Sequence, residues 1–145
     1  MRDTITPEDE QQIVNAIKEA ENNTSGEIRV HIENTCDIAV LDRATQVFAY
    51  LHMHQTALRN GVLFYVALQS HKFAVLGDAG INAVVPPNFW NEITSLVIGY
   101  FKQEQYAEGL AKGILIAGEQ LKAYFPHKGE SDVNELKNDI SFGKD

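Results

Sequence analysis

Apolar residues recur along this chain with two different periods, and the switches between them divide it into elements. Ile13, Ala16, Ile17 and Ala20 fall three and four apart, the spacing of one helix face. Just before them, Thr6-Pro7-Glu8-Asp9 is a helix start, with Thr6 as N-cap, Pro7 at the first helical position and Asp9 as the capping-box acid. Asn22-Asn23-Thr24-Ser25-Gly26 ends that helix. From Glu27 to Glu33 the period drops to two: Ile28, Val30 and Ile32 share one face, and Arg29, His31 and Glu33 share the other. This predicts a strand with one wholly apolar face.

A second helix is expected next, capped near Asp37, with Leu41, Ala44, Val47, Phe48, Leu51 and Leu58 as its buried stripe. Arg59-Asn60-Gly61 stops it, because Asn and Gly accept the left-handed conformation that closes helices. Val62 to Leu68 is apolar on both faces, as in a strand covered on two sides. Gln69-Ser70-His71-Lys72 predicts a hairpin turn returning through Phe73-Ala74-Val75-Leu76, and Asp78-Ala79-Gly80 breaks that strand. A third helix is expected to start at Pro86-Pro87, with Trp90, Ile93, Val97, Tyr100 and Phe101 inward. A fourth is expected from about Tyr106 to Phe125, on which Gly109 and Gly113 share a face and permit a neighbour's close approach. Pro126 stops it.

A strand–helix–strand crossover makes its two strands parallel, whereas the hairpin strand runs back. The predicted fold class is therefore α/β, a three-layer α/β/α sandwich with a small mixed sheet flanked by helices on both faces. The periodic segments occupy residues 1–126 as one domain. Residues 127–145 form a polar C-terminal tail, in which Ile140 and Phe142 are candidates for a short edge strand.

Composition narrows the function classes. At 145 residues the chain is long enough for a core without staples. Cys36 is the only cysteine, so neither an internal disulfide nor a thiolate metal cluster is available. The net charge of −8 opposes a phosphate backbone and makes nucleic acid an unfavoured partner. No apolar run has the length of a membrane span or the form of a signal peptide, so a cytoplasmic location is expected.

The predicted topology carries the chemistry. If the first two strands are parallel, their starts share one sheet edge, and the returning strand ends there too. Glu27, Arg59, Asn60 and Asp78 are then expected to cluster. Carboxylates, an amide oxygen and turn carbonyls are hard ligands suited to Ca2+ or Mg2+. The alternative is structural: a salt bridge from Arg59 to Glu27 or Asp78. His52 and His54, about 200° apart on a helix, do not make a chelating pair. His31 and His71 have no visible partner in the sequence. Cys36 lacks the glycine-containing, anion-cradling loop of a cysteine phosphatase and is expected to be a half-buried structural thiol. Met53 is expected on the exposed side of the second helix.

The runs Thr24-Ser25-Gly26-Glu27-Ile28-Arg29-Val30, Arg59-Asn60-Gly61-Val62-Leu63 and Val75-Leu76-Gly77-Asp78-Ala79-Gly80-Ile81 resemble the TPM domain family. Trp90, the Phe101–Gly109 segment and Phe125-Pro126 extend the likeness over roughly residues 5 to 126. Family members are α/β/α sandwiches; some plant members act in photosystem II repair and have been assigned acid phosphatase activity, and Ca2+ binding has been described. The resemblance implies a divalent-cation-binding domain with Asp78 as direct ligand, Glu27 and Asn60 beside it, and Arg59 orienting a carboxylate or holding an anion. If the domain is an enzyme, the implied reaction is metal-assisted hydrolysis of a phosphorylated small molecule or protein. The rival reading is a non-catalytic protein-interaction module in which the acidic edge is structural.

Overall fold

The computed structural model describes residues 5–127 and 135–143. Its elements run α1 (Pro7–Glu21), β1 (Glu27–Glu33), α2 (Val40–Tyr50), a 3-10 turn (Met53–Gln55), β2 (Gly61–Ala67), β3 (Lys72–Gly77), α3 (Ala79–Asn82), α4 (Asn91–Phe101), α5 (Tyr106–Leu121) and β4 (Ser141–Phe142). The strands are ordered β3-β2-β1-β4. β1 is parallel to both β2 and β4, and β2 is antiparallel to β3, so the sheet is mixed as the crossover and hairpin predicted.

Alternation along the strands sorts side chains into two cores. Ile28, Val30 and Ile32 of β1, with Val62, Phe64 and Val66 of β2, pack against α1, α4 and α5. Leu63, Tyr65 and Ala67 of β2 and Ala74 of β3 point the other way, toward Ala44, Val47 and Phe48 of α2. Helices thus cover both faces. The expected capping box at α1 is complete: Thr6 accepts from the Asp9 amide, and Asp9 accepts from the Thr6 amide.

Several expectations shift where helices end. α2 has no side-chain cap at its N-cap residue, Ala39, so Asp37 does not cap it. It also stops at Tyr50, because His52 takes a left-handed conformation (φ 56°). That break rotates everything after it. Met53, expected at the surface, is fully buried, while Leu58 is 43% exposed. Leu41, on the first turn, is 57% exposed rather than part of the stripe. Pro86 and Pro87 do not open a helix; Asp78 instead caps the short α3, and α4 starts at Asn91. The α5 helix closes at Leu121, ahead of Phe125.

The described part of the C-terminal segment folds back onto the domain. Ile140 is buried in the same core as α1 and α5. The edge strand expected around Ile140 and Phe142 forms at Ser141–Phe142, pairing with His31 and Ile32.

Close approach of α4 to α5 depends on the two glycines expected to allow it. A Cβ at Gly109 would sit 2.7 Å from the Tyr100 Cβ, and one at Gly113 would sit 2.6 Å from Val97 Cγ2 and 3.3 Å from Phe64. Both distances are well inside contact, so an added methyl must push the helices apart. Gly113→Ala is expected to lower stability by about 1–3 kcal/mol, read as a lower urea midpoint. An unchanged midpoint would show that the helices are not in contact there.

Candidate functional site

The register places the sequence-predicted residues at one edge of the sheet. Glu27 pairs with Gly61 across β1 and β2, and Gly77 of β3 pairs with Val62. The Glu27 amide donates to the Asn60 carbonyl at 3.1 Å, and the Asp78 amide donates to the Gly61 carbonyl at 2.9 Å. Arg59 turns the chain there in a left-handed conformation (φ 52°). Gly80 lets α3 press on that turn: a Cβ at this position would lie 2.2 Å from the Leu58 carbonyl oxygen.

Within this edge the side chains divide into two groups. Asp78 is committed to Arg59, whose Nε and Nη2 donate to its two carboxylate oxygens at 2.7 and 2.8 Å. The Ala79 amide adds a third bond at 2.7 Å. The Arg59 salt bridge held open as the structural alternative is therefore present, on Asp78.

Glu27 has different partners. Its Oε1 accepts from the backbone amides of Glu135 and Leu136, the latter at 2.6 Å, on the returning C-terminal segment. The Glu135 carboxyl lies in hydrogen-bonding reach of the Glu27 carboxyl and also accepts from the Ala57 amide. Burial pushes Glu27 up to about 7; the two amides oppose the shift, and the charge of Glu135 adds to it. Glu135 is the member of this edge that sequence reasoning missed. It lies 108 residues from Glu27, with no periodicity of its own.

Asn60 is 2% exposed, and its Nδ2 donates to the Ser25 carbonyl at 3.1 Å. The Asn60 Oδ1 and the neighbouring Ser25 Oγ are buried with no hydrogen-bond partner. Two such oxygens beside Gly26 are unusual, since buried acceptors are nearly always satisfied. Among the described residues, no three His, Cys, Asp or Glu side chains converge in an arrangement that could hold a metal ion. What a cation would meet at this edge is a carboxyl pair and neutral oxygens, the donor chemistry of a hard ion.

A second polar cluster occupies the other end of β1. Glu33 is buried; its Oε2 accepts from Arg43 Nε at 2.8 Å, and its Oε1 accepts from Arg43 Nη2 at 2.9 Å. Tyr65 Oη also donates to it. Burial alone would raise Glu33, but the bonds from Arg43, Tyr65 and His31 outweigh it and hold the carboxyl below its ordinary range. His31, which looked partnerless in sequence, touches Glu33 through Nε2 at 3.2 Å and Ser141 Oγ through Nδ1 at 2.9 Å. Burial keeps its proton affinity low. Cys36 is buried, with Sγ on the Ile38 carbonyl, as a structural thiol would be. His52 ends α2 and His54 lies in the 3-10 turn, so the two do not share a helix.

A family model described as TPM domain matches residues 1–120. Among solved structures, the chain is similar to the BA42 protein from the psychrophilic bacterium Bizionia argentinensis, at 50% identity over 96% of this chain and 95% of that one, with a TM-score of 0.90. It shares its fold with the N-terminal domain of a P. gingivalis protein (19% identity, 86% of this chain and 82% of that one, TM-score 0.69). It also shares it with the N-terminal domain of the cg2496 protein of Corynebacterium glutamicum (15%, 88% and 78%, TM-score 0.62). No curated protein matches the chain. No helix among the described residues is long and apolar enough to cross a membrane.

The raised Glu27 carboxyl has a thermodynamic consequence. A carboxyl that binds its proton more tightly folded than unfolded stabilises the fold at low pH and loses that contribution as pH rises toward its folded value. Stability is expected to fall between about pH 4.5 and 7 by up to about 3 kcal/mol from this group. His31, lowered in the fold, acts with the opposite sign below 6.5. The Glu27 contribution is therefore the difference between the wild type and Glu27→Gln in urea unfolding across that window. Parallel pH profiles would show that Glu27 is not perturbed.

Proposed function

The chain belongs to the TPM domain family, and from that membership we propose a divalent-cation-binding domain whose ion, Ca2+ or Mg2+, is held at the amino edge of β1 and β2. The observation that carries this reading is the meeting of the buried Glu27 carboxyl with the exposed Glu135 carboxyl at the rim of the sheet. Two carboxyls brought together favour either a shared proton or a bound cation. The partnerless Asn60 Oδ1 supplies a neutral oxygen of the same hardness close by. Glu27 is thus the leading ligand in this proposal, with Asn60 beside it. Asp78 is less available, since Oδ1 already accepts from Arg59 and the Ala79 amide, and only Oδ2 keeps a free lone pair beside its bond to Arg59.

Phosphomonoester hydrolysis is the finer form of the proposal. A bound ion would there supply polarisation of the phosphate and activation of water. Arg59, whose side chain is half exposed while anchored on Asp78, is the protein's own cation at that rim and suits the charge of a phosphate. The non-catalytic alternative draws on a different observation: Ile38, Leu41 and Tyr50 stand exposed on and beside α2, away from the acidic edge.

Titration of the labelled protein with Ca2+ and with Mg2+, followed by amide NMR, tests the ion site. Saturable shifts centred on Glu27, Asn60, Asp78 and Leu136 are expected, and Glu27→Gln should weaken binding at least tenfold. No shifts at millimolar ion would remove the cation reading and leave the interaction module. For the catalytic form, turnover of a generic phosphomonoester should require the ion and be lost in Asp78→Asn. Unchanged turnover in both Asp78→Asn and Glu27→Gln would exclude this edge as the seat of hydrolysis.

A further inference from the structure

At the carboxyl end of β1, opposite the proposed ion site, a cleft of about 740 Å3 opens beside the buried His31–Glu33 cluster. In sheets with parallel strands, ligands favour the crevice outside the strands' carboxyl ends. We propose that this cleft is a second functional site, at whose margin Ser141, next to the wall residue Phe142, is a nucleophile activated by the wall residue His31 toward uncharged, short-chain carboxylic esters.

The parallel pairing of β4 with β1 sets His31 opposite Ser141, so the two side chains leave the same face of the sheet. His31 Nε2 lies 3.2 Å from Glu33 Oε1. That carboxylate, ion-paired to Arg43, accepts hydrogen bonds and offers none, so Nε2 carries the ring hydrogen. Nδ1 is then the basic nitrogen, and the Ser141 hydroxyl 2.9 Å away donates to it. Hydroxyl, imidazole and carboxylate stand in the order that activates a serine, an arrangement recognised by geometry and role rather than by sequence position. Glu33 is itself fixed by Arg43 and Tyr65, which locks the orientation of the ring.

The cleft walls suggest the substrate. Ile38, Val47, Tyr50 and Phe142 supply apolar lining for a short acyl or alcohol group. Asp37 at the wall, the commitment of the wall's Arg43 to Glu33 and a net charge of −8 disfavour an anionic ester.

The chemistry balances with water as the only co-reactant. Ser141 Oγ bonds to the carbonyl carbon as its proton passes to His31 Nδ1. The C–O bond to the alcohol then breaks, the alcohol leaves with that proton, and the acyl group stays on Ser141. Water, giving a proton to Nδ1, attacks the acyl carbon; the Ser141 ester bond breaks, Oγ regains the proton, and the carboxylic acid departs.

The full chain is treated with a fluorophosphonate probe and digested for peptide mass spectrometry, in parallel with p-nitrophenyl acetate turnover. A covalent adduct on Ser141 is expected, slower by on the order of 100-fold or more in His31→Asn, with Ser141→Ala turning over ester at the buffer rate. No Ser141 adduct under excess probe, or equal labelling of folded His31→Asn, overturns the proposal. Should His31→Asn not fold, Ser141→Ala decides: it lies on a two-residue edge strand, and turnover that persists in it overturns the proposal too.

Discussion

β1 carries three buried ionisable side chains, Glu27, His31 and Glu33, on a single face, and the rest of the structure is arranged around satisfying them. Its opposite face is uniformly apolar, so the strand's position in the sheet is fixed by Ile28, Val30 and Ile32. Once that face is buried, alternation forces the odd residues under the other layer, where a charged or polar group without a partner is costly. The partners are drawn from well separated parts of the chain. Arg43 of α2 and Tyr65 of β2 satisfy Glu33, Ser141 of β4 meets His31, and the backbone at 135 and 136 meets Glu27.

The C-terminal segment therefore does more than fill an edge. It is fastened to β1 at its start, by the amides on Glu27, and again at its end, where Ser141 meets His31 and the Gly143 amide donates to the Ile32 carbonyl. Leu136 and Ile140 add apolar contact on opposite faces of the sheet. A segment attached at both ends of one strand couples those ends mechanically. Loosening either attachment removes part of what holds the other.

How much of this could be read from the sequence depends on how local each feature was. Ile28, Val30 and Ile32 declare a strand by period alone, Thr6 and Asp9 declare a helix start within four residues, and Gly109 with Gly113 declares a close helix contact. The shared edge of Glu27, Asn60 and Asp78 followed from strand direction, which needs only the order of elements. Met53 and Leu58 were misplaced because one left-handed residue, His52, ends the helix and resets the phase, and no turn signal marks it; Leu41 lies before that break, on the first turn of α2. His31 looked partnerless because Ser141 is 110 residues away, and Glu135 was invisible for the same reason. Pairing between distant polar residues leaves no periodicity to detect.

Stability alone does not account for the Glu33 cluster. Arg43 is partly exposed and Glu33 buried, and an ion pair of this kind gains Coulomb energy only against the desolvation of the carboxylate. An apolar group of similar volume at position 33, packed on Tyr65 and Ala67, would serve the core about as well, because replacing such pairs is often neutral or stabilising. What the charged version provides, and an apolar one cannot, is a defined proton arrangement. A fully bonded carboxylate dictates which nitrogen of His31 holds the hydrogen, and that dictates which way the Ser141 hydroxyl points. The same contact that orients the hydroxyl also fastens β4 to β1 at His31.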